Sequence, residues 1–299
     1  MTAVPSSVPH PSATVPLQTD LPQTEEVPAS PTVQPQREET LVAVPTSLPT
    51  SLPLAWQDWP VVPETISDTT REIYLRGLAM GNNPQAFSKV GDCEIYTTWF
   101  LYDYDQGPAH YDLGPYANLQ PVLEHFAGSY GRMSLATQPG FTAASLMTPL
   151  WANRDQCNND ESPLACELRI HRPAFAIVAL GTNDASNPPR FEENFRKVIE
   201  TCMEHGVVPI LSTKADNLEG DGSINATIVR LAQEYDVPLW NFWVALQGLP
   251  RQGLQEDGAH LTWYPNDFSD PRSLESASWP RRNLSALQVL EVVWQGVED

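Results

Sequence analysis

The sequence predicts an α/β fold of three layers, with helices on both faces of a central five-stranded parallel sheet. Three observations predict it. Apolar runs at about 87–91, 133–137, 175–180, 207–213 and 237–243 alternate with amphipathic stretches of helical period, as βαβ units do. Phe175-Ala-Ile-Val-Ala-Leu180 is apolar without alternation, which suits a strand covered on both faces. Polar, glycine-bearing motifs then follow the strands, at the carboxyl rim where open parallel sheets bind ligands.

The elements are read in order. Residues 1–55 hold eleven of the 29 prolines, mixed with Ser, Thr, Val and Gln and without Phe, Trp or Tyr. Such a segment buries too little apolar surface to offset its ordering entropy, so a disordered, extended tether is expected there. Burial begins at Trp56 and Trp59, and residues 56–299 are expected to form one domain. Ser67 or Asp68 caps a helix that runs to about Met80 and stops at Gly81-Asn-Asn-Pro84. The first strand, about 87–91, breaks into Gly91-Asp92-Cys93. An aromatic-rich insertion spans 95–131, in which core packing takes a larger share than ligand stacking.

A second strand, Met133 to Thr137, leads to Gln138-Pro-Gly140 and a helix from Thr142. The third strand ends at Gly181-Thr-Asn-Asp184. In the helix 190–205, Phe191, Phe195, Val198, Ile199 and Cys202 share one face, which makes Cys202 an inert core residue. The strand at Val207–Thr213 precedes a helix with Ile224, Ile228, Leu231, Ala232 and Tyr235 on one side. Val237 to Trp243 is the fifth strand. A long loop then carries Asp257-Gly-Ala-His260, and a closing helix runs from about Leu284 to Gln295.

Charge and cysteines narrow the function. The net charge is −20, and the first 55 residues supply little of it, so the folded part is acidic. With no basic stripe to displace counterions, nucleic acid is excluded as a partner. No stretch reaches the ~18 apolar residues of a membrane span. Met1 is not followed by a charged and then apolar leader, yet a Pro/Thr/Ser tether fits an exported or surface-anchored protein. The expected location is therefore extracellular or at the cell surface. Cys157 and Cys166 flank a polar loop that a disulfide can close, which leaves Cys93 as an odd thiol. His110, His125, His171 and His205 show no ligand spacing, so neither metal nor cofactor is expected.

Singly, Cys93, an Asn183-Asp184 turn and His260 read as a buried thiol, a turn and a surface residue. In order behind successive strands, they form a site. Gly91 permits a tight strand-to-helix turn that aims N–H groups at a bound anion. His260 is a candidate base, with Asp257 three residues earlier able to fix its tautomer.

These four blocks resemble those of the SGNH (GDSL-type) hydrolase family, over roughly residues 85–299. Gly91-Asp92-Cys93 matches the first block, with Cys in place of the nucleophilic Ser. Gly140 matches the second loosely; Gly181-Thr-Asn183-Asp184 and Asp257-Gly-Ala-His260 match the third and fourth well. The resemblance implies a flavodoxin-like sheet and a catalytic set of Cys93, His260 and Asp257. It also implies an oxyanion hole from the Cys93 and Gly140 N–H groups and the Asn183 amide. Asp92 and Asp184, beside these positions, are expected to contact substrate. Hydrolysis of acyl or acetyl esters of carbohydrate or lipid follows, by a monomer acting on a small-molecule or carbohydrate ester.

The sulfur leaves three readings open. A thiolate is a strong nucleophile and supports a Cys-His-Asp esterase through a thioester. A pocket shaped for oxygen can instead misplace it, leaving a weakened domain that binds a glycan or acyl ligand. A thiol-dependent acyl carrier or sensor is the third. Limited proteolysis checks the organisation: it should trim the first ~55 residues and leave the remainder resistant, whereas two stable halves cut mid-chain would contradict it.

Overall fold

The computed structural model describes residues 55–299. The tether expected over 1–55 lies, apart from Ala55, outside the described residues. Helix α1 (Asp68–Met80) begins where the Ser67 side chain accepts the Thr70 N–H, and ends at Gly81. Strand β1 (Asn83–Gly91) follows, its last five residues buried. Short helices α2 (Cys93–Tyr96), α3 (Gln120–His125) and α4 (Ala143–Leu146) lie along the excursion that returns through α5 (Pro163–His171) to β2 (Pro173–Ala179). The order then runs α6 (Pro188–Glu204), β3 (Val208–Ser212), α7 (Ser223–Glu234), β4 (Leu239–Trp240) and α8 (Phe242–Ala245). Helices α9 (Pro271–Ser276) and α10 (Ser278–Glu298) close the chain.

The sheet has four parallel strands in the order β1-β2-β3-β4. Every residue of β2 is buried, as an unalternating apolar run requires. Helices α1 and α10 pack together on one face, where Tyr74 stacks on Phe175 at 5.5 Å. Helices α5, α6 and α7 cover the other, and the buried face of α6 is the predicted stripe from Phe191 to Cys202. The register sets Gly91 opposite Ala179, Ala179 opposite Ser212, and Ser212 opposite Trp240. Four strand ends thus line up along one rim.

The expected five-stranded sheet is corrected to four strands, because the second strand expected at 133–137 does not form. Residues 133–137 meet β1 at a single parallel bridge, Gly91 with Thr137, rather than along a ladder. Local side chains take the backbone groups a ladder would use. Ser134 Oγ accepts the Ala136 N–H, Ser134 O accepts from Thr137, and the Glu167 carboxylate accepts the Leu135 N–H. The helix expected from Thr142 is one turn long, and the closing helix starts six residues before Leu284.

The last strand is also shorter than its apolar run. Pro238 has no N–H to donate, and the Asn241 N–H goes instead to Val61 O at 2.9 Å. The Asn241 side chain donates to the carbonyls of Trp56 and Trp59, so residues 56–61 cover this edge of the sheet. The aromatic insertion is pinned to α10 by buried Asn283, which donates to Trp99 O and Asn266 Oδ1 and accepts the Leu101 N–H. Phe100, Tyr104, Phe126 and Tyr130 of the insertion are core; Tyr96 and Trp99 are exposed.

Cys157 and Cys166 form a disulfide, while Cys93 and Cys202 are free. Closing so short a loop stabilises by about 2–3 kcal/mol. Replacing both cysteines by Ser should lower the urea midpoint by a matching amount, and an unmoved midpoint would show that the bond holds nothing in place.

Candidate functional site

The site is built where β1 and β2 end. Gly91 sits so close to β2 that a Cβ there would overlap the Ala179 carbonyl oxygen and crowd Ile95. The chain leaves this contact directly into α2. Asp92 caps that helix, its Oδ1 accepting the Glu94 N–H at 3.2 Å, and half-buried Cys93 is the first helical residue. Gly140 has nothing near a would-be Cβ; its φ of +83° is what favours glycine.

Two neighbouring side chains of the turn after β2 gather the pieces around Cys93. Asn183 Nδ2 donates to Phe141 O at 3.1 Å and, more weakly, to Asp92 Oδ2 at 3.5 Å. Buried Asp184 accepts the Ala143 N–H on both carboxylate oxygens, at 3.3 and 3.2 Å. The 140–143 loop is thereby held against the Gly91–Cys93 turn. The Asn183 amide is occupied by those two acceptors.

Asp257 and His260 form a separate, exposed pair. Asp257 Oδ2 receives His260 Nδ1 at 2.6 Å, and its Oδ1 accepts the N–H groups of Ala259 and His260 at 3.0 Å each. The imidazole beside it, with those two N–H groups, pulls the Asp257 carboxyl down to about 2. The carboxylate is thus ionised at any physiological pH and fixes Nδ1 as the protonated nitrogen. Among the described residues no hydrogen bond joins His260 to the Cys93 thiol. The structure brings Cys93, Asp92, Asn183, Asp184 and the Gly140 loop together, and Asp257 with His260, as two groups.

Electrostatics around the thiol oppose its ionisation. Burial, then the charges of Asp92 and Glu94, push the Cys93 thiol up to about 12. Burial also raises Asp92 to about 7, Glu94 to about 8 and Asp184 to about 6. Behind the thiol lies an ionic cluster that the motifs did not announce. Lys214 Nζ binds Asp216 and Glu219 at 2.6 Å each, and Thr182 Oγ1 donates to Asp216 at 2.7 Å. Arg282, 1% exposed, faces Glu94 at 3.7 Å. Arg282 sits beside Arg281 and Asn283, two residues before the expected start of the closing helix, so the sequence pattern does not single it out. Of groups able to hold a metal, the described residues offer Cys157, Glu161 and Cys166, whose sulfurs are joined to each other.

No family model matches the chain. It is 28% identical over 127 residues to thioesterase 1/protease 1/lysophospholipase L1 of Escherichia coli strain K12, a match over 40% of this chain. The chain spans 58% of the length of that curated relative. Among solved structures it is similar to that of TesA, at 19% identity, TM-score 0.43, covering 70% of this chain and 99% of the other. It is also similar to a GDSL-like lipase from Bacteroides thetaiotaomicron, at 14% identity, TM-score 0.43, covering 74% and 97%.

The raised carboxyl of Asp184 gives a pH signature. Its folded value lies above the unfolded one, so the native state binds the extra proton, and its contribution to stability is present at low pH and lost as pH rises through about 6. The stability advantage of wild type over Asp184→Asn, from urea unfolding, should therefore shrink between pH ~4 and pH ~7. An advantage that grows over that range would contradict the burial argument.

Proposed function

We propose that the domain is an ester hydrolase of the SGNH (GDSL-type) kind, working through Cys93, His260 and Asp257 on acyl or acetyl esters of carbohydrate or lipid. The observation that carries this reading is the Asp257–His260 hydrogen bond, reinforced by two backbone donors on the same carboxylate. It leaves Nε2 without a partner among the described residues, as a general base requires, and a purely binding surface has no use for such a pair. The curated relative is named as a thioesterase and lysophospholipase, which is ester chemistry of the same type.

The steps follow from the side chains. As the Cys93 sulfur attacks the ester carbonyl, the thiol proton passes to His260 Nε2. The N–H groups of Cys93 and Gly140 and the Asn183 amide receive the oxyanion, where one lost donor lowers the rate roughly 100- to 1,000-fold. The alcohol leaves with the proton from His260, and water, deprotonated by the same imidazole, hydrolyses the thioester. Asp92 and Asp184, both buried, would act on substrate through the Cys93 turn and the 140–143 loop that they hold. The disulfide supports an extracellular or cell-surface location.

A second reading is favoured by one observation: the thiol is pushed up to about 12 and lacks a hydrogen bond to His260. On that reading the domain has lost turnover and binds a glycan or acyl ligand. One experiment separates the two, with short acyl esters and acetylated sugars assayed on wild type, Cys93→Ser, Cys93→Ala and His260→Ala. The hydrolase reading expects wild-type turnover abolished by iodoacetamide, and a loss of roughly 100-fold or more in Cys93→Ala and His260→Ala. An inert wild type with turnover gained in Cys93→Ser marks the weakened domain. Turnover surviving in Cys93→Ala means another nucleophile.

A further inference from the structure

Of the nine aromatic residues in the insertion after Cys93, the fold exposes two, Tyr96 at 41% and Trp99 at 49%. They are the two nearest the thiol in sequence. Cys93 and Tyr96 stand three residues apart on the one-turn helix α2, which puts them on the same face. Glu94 and Ile95 are the buried side of that turn, so the thiol and the Tyr96 ring share its solvent side.

Trp99 is held from another direction. Its N–H donates to Thr97 Oγ1 at 3.2 Å, and its carbonyl accepts from Asn283 Nδ2 at 2.8 Å. Phe100, next in the chain, turns inward, where with Trp240 and Phe242 it forms a ring cage around the Arg282 guanidinium. The Trp99 indole is left outside, edge-on to Trp279 with ring centres 5.9 Å apart. The Trp279 N–H in turn donates to Thr262 O at 3.1 Å, two residues beyond His260. Tyr96 thus belongs to the thiol turn, while Trp99 packs on the residue that fastens the His260 loop.

Singly exposed aromatics are ordinary, but two within four residues, on a backbone fixed at both halves of the site, make a preorganised platform. The stretch reads Tyr96-Thr97-Thr98-Trp99, which places hydroxyls between two flat rings, with Thr98 exposed. A sugar ring uses both features, laying its C–H face on an aromatic ring and pairing its hydroxyls with side-chain hydroxyls. An alkyl chain would use the rings alone. The net charge of −20 also disfavours fatty acids and anionic lipids, while a neutral acetylated sugar is indifferent to it.

We propose that Tyr96 and Trp99 are substrate-binding residues that set specificity: they stack on the sugar of a carbohydrate ester and bring its acyl group to Cys93. The substrate class is then acylated carbohydrate and not lipid. The placing of the acyl group rests on the hydrolase reading; the stacking itself needs no turnover.

Binding and turnover are therefore measured separately on the full chain. Ligand-observed NMR titration with acetylated mono- and disaccharides of glucose, xylose and N-acetylglucosamine reads binding. Hydrolysis of the same sugars, of triacetin and of 1-dodecanoyl glycerol reads selectivity. Wild type should bind at least one of the sugars, and Trp99→Ala and Tyr96→Ala should each weaken that binding about tenfold, as uncovering about half of an aromatic side chain would. Trp99→Phe should restore most of the loss. The kcat/KM ratio of sugar ester to triacetin should fall about tenfold in Trp99→Ala, chiefly through KM.

A wild type that binds none of these sugars overturns the proposal, as does sugar binding that Trp99→Ala leaves intact. A selective loss on 1-dodecanoyl glycerol marks an acyl-chain subsite and overturns it too. Equal losses on every ester, unrescued by Trp99→Phe, show a general disturbance of the thiol turn and do the same. If Trp99→Ala fails to fold, as circular dichroism would reveal, Tyr96→Ala decides. Sugar binding that depends on Trp99, without turnover of any ester, would leave the subsite standing and remove the hydrolase reading.

Discussion

The approach of β1 to β2 at Gly91 is the contact on which the rim depends. A side chain there would run into the Ala179 carbonyl, so the two strands could not end level and the chain could not turn at once into α2. With the strands level, Asp92 caps the helix and Cys93 is presented on its first turn, facing the turn that follows β2. Asn183 and Asp184 on that turn then reach both the cap and the 140–143 loop. One residue without a Cβ thus sets the distance across which the side-chain hydrogen bonds close.

Holding these pieces by buried carboxylates has an electrostatic consequence. Asp92, Glu94 and Asp184 are all shifted upward by burial, and two of them flank the thiol. Reactive cysteines that stand as thiolates sit beside cations or unencumbered helix N-termini. This one stands between carboxylates, on a helix too short to offset them. The field is better suited to a nucleophile that stays neutral until a base takes its proton, and a hydroxyl meets that condition as readily as a thiol does. Arg282 limits the accumulated negative charge, and its ring cage keeps it at the back of the site.

The proposed base and its orienter belong to a different kind of structure. Asp257 and His260 lie on an exposed loop, joined to each other by a strong local hydrogen bond. The loop is fastened to the body beyond the pair, where Thr262 bonds with Gly253 and Ser278. The strand rim thus carries the thiol, and a separately fastened loop carries the imidazole.

Local chemistry made much of this legible in the chain. The apolar run of β2, the α6 stripe from Phe191 to Cys202 and the Ser67 cap depend on neighbours in sequence, and the structure repeats them. The Asp257–His260 pair is likewise three residues apart and closes on itself. What the chain alone could not show were competitions settled at long range. Residues 133–137 have strand-like composition, yet Ser134 and, from another element, Glu167 take their backbone groups. The run at 237–243 is cut short because Trp56, Trp59 and Val61 claim Asn241. The ionic cluster behind Cys93 joins residues 94, 214 and 282, which no periodicity connects. Whether the second of two adjacent arginines at the start of α10 points to solvent or into an aromatic cage depends on what the fold packs around it, and only the assembled tertiary structure fixes that.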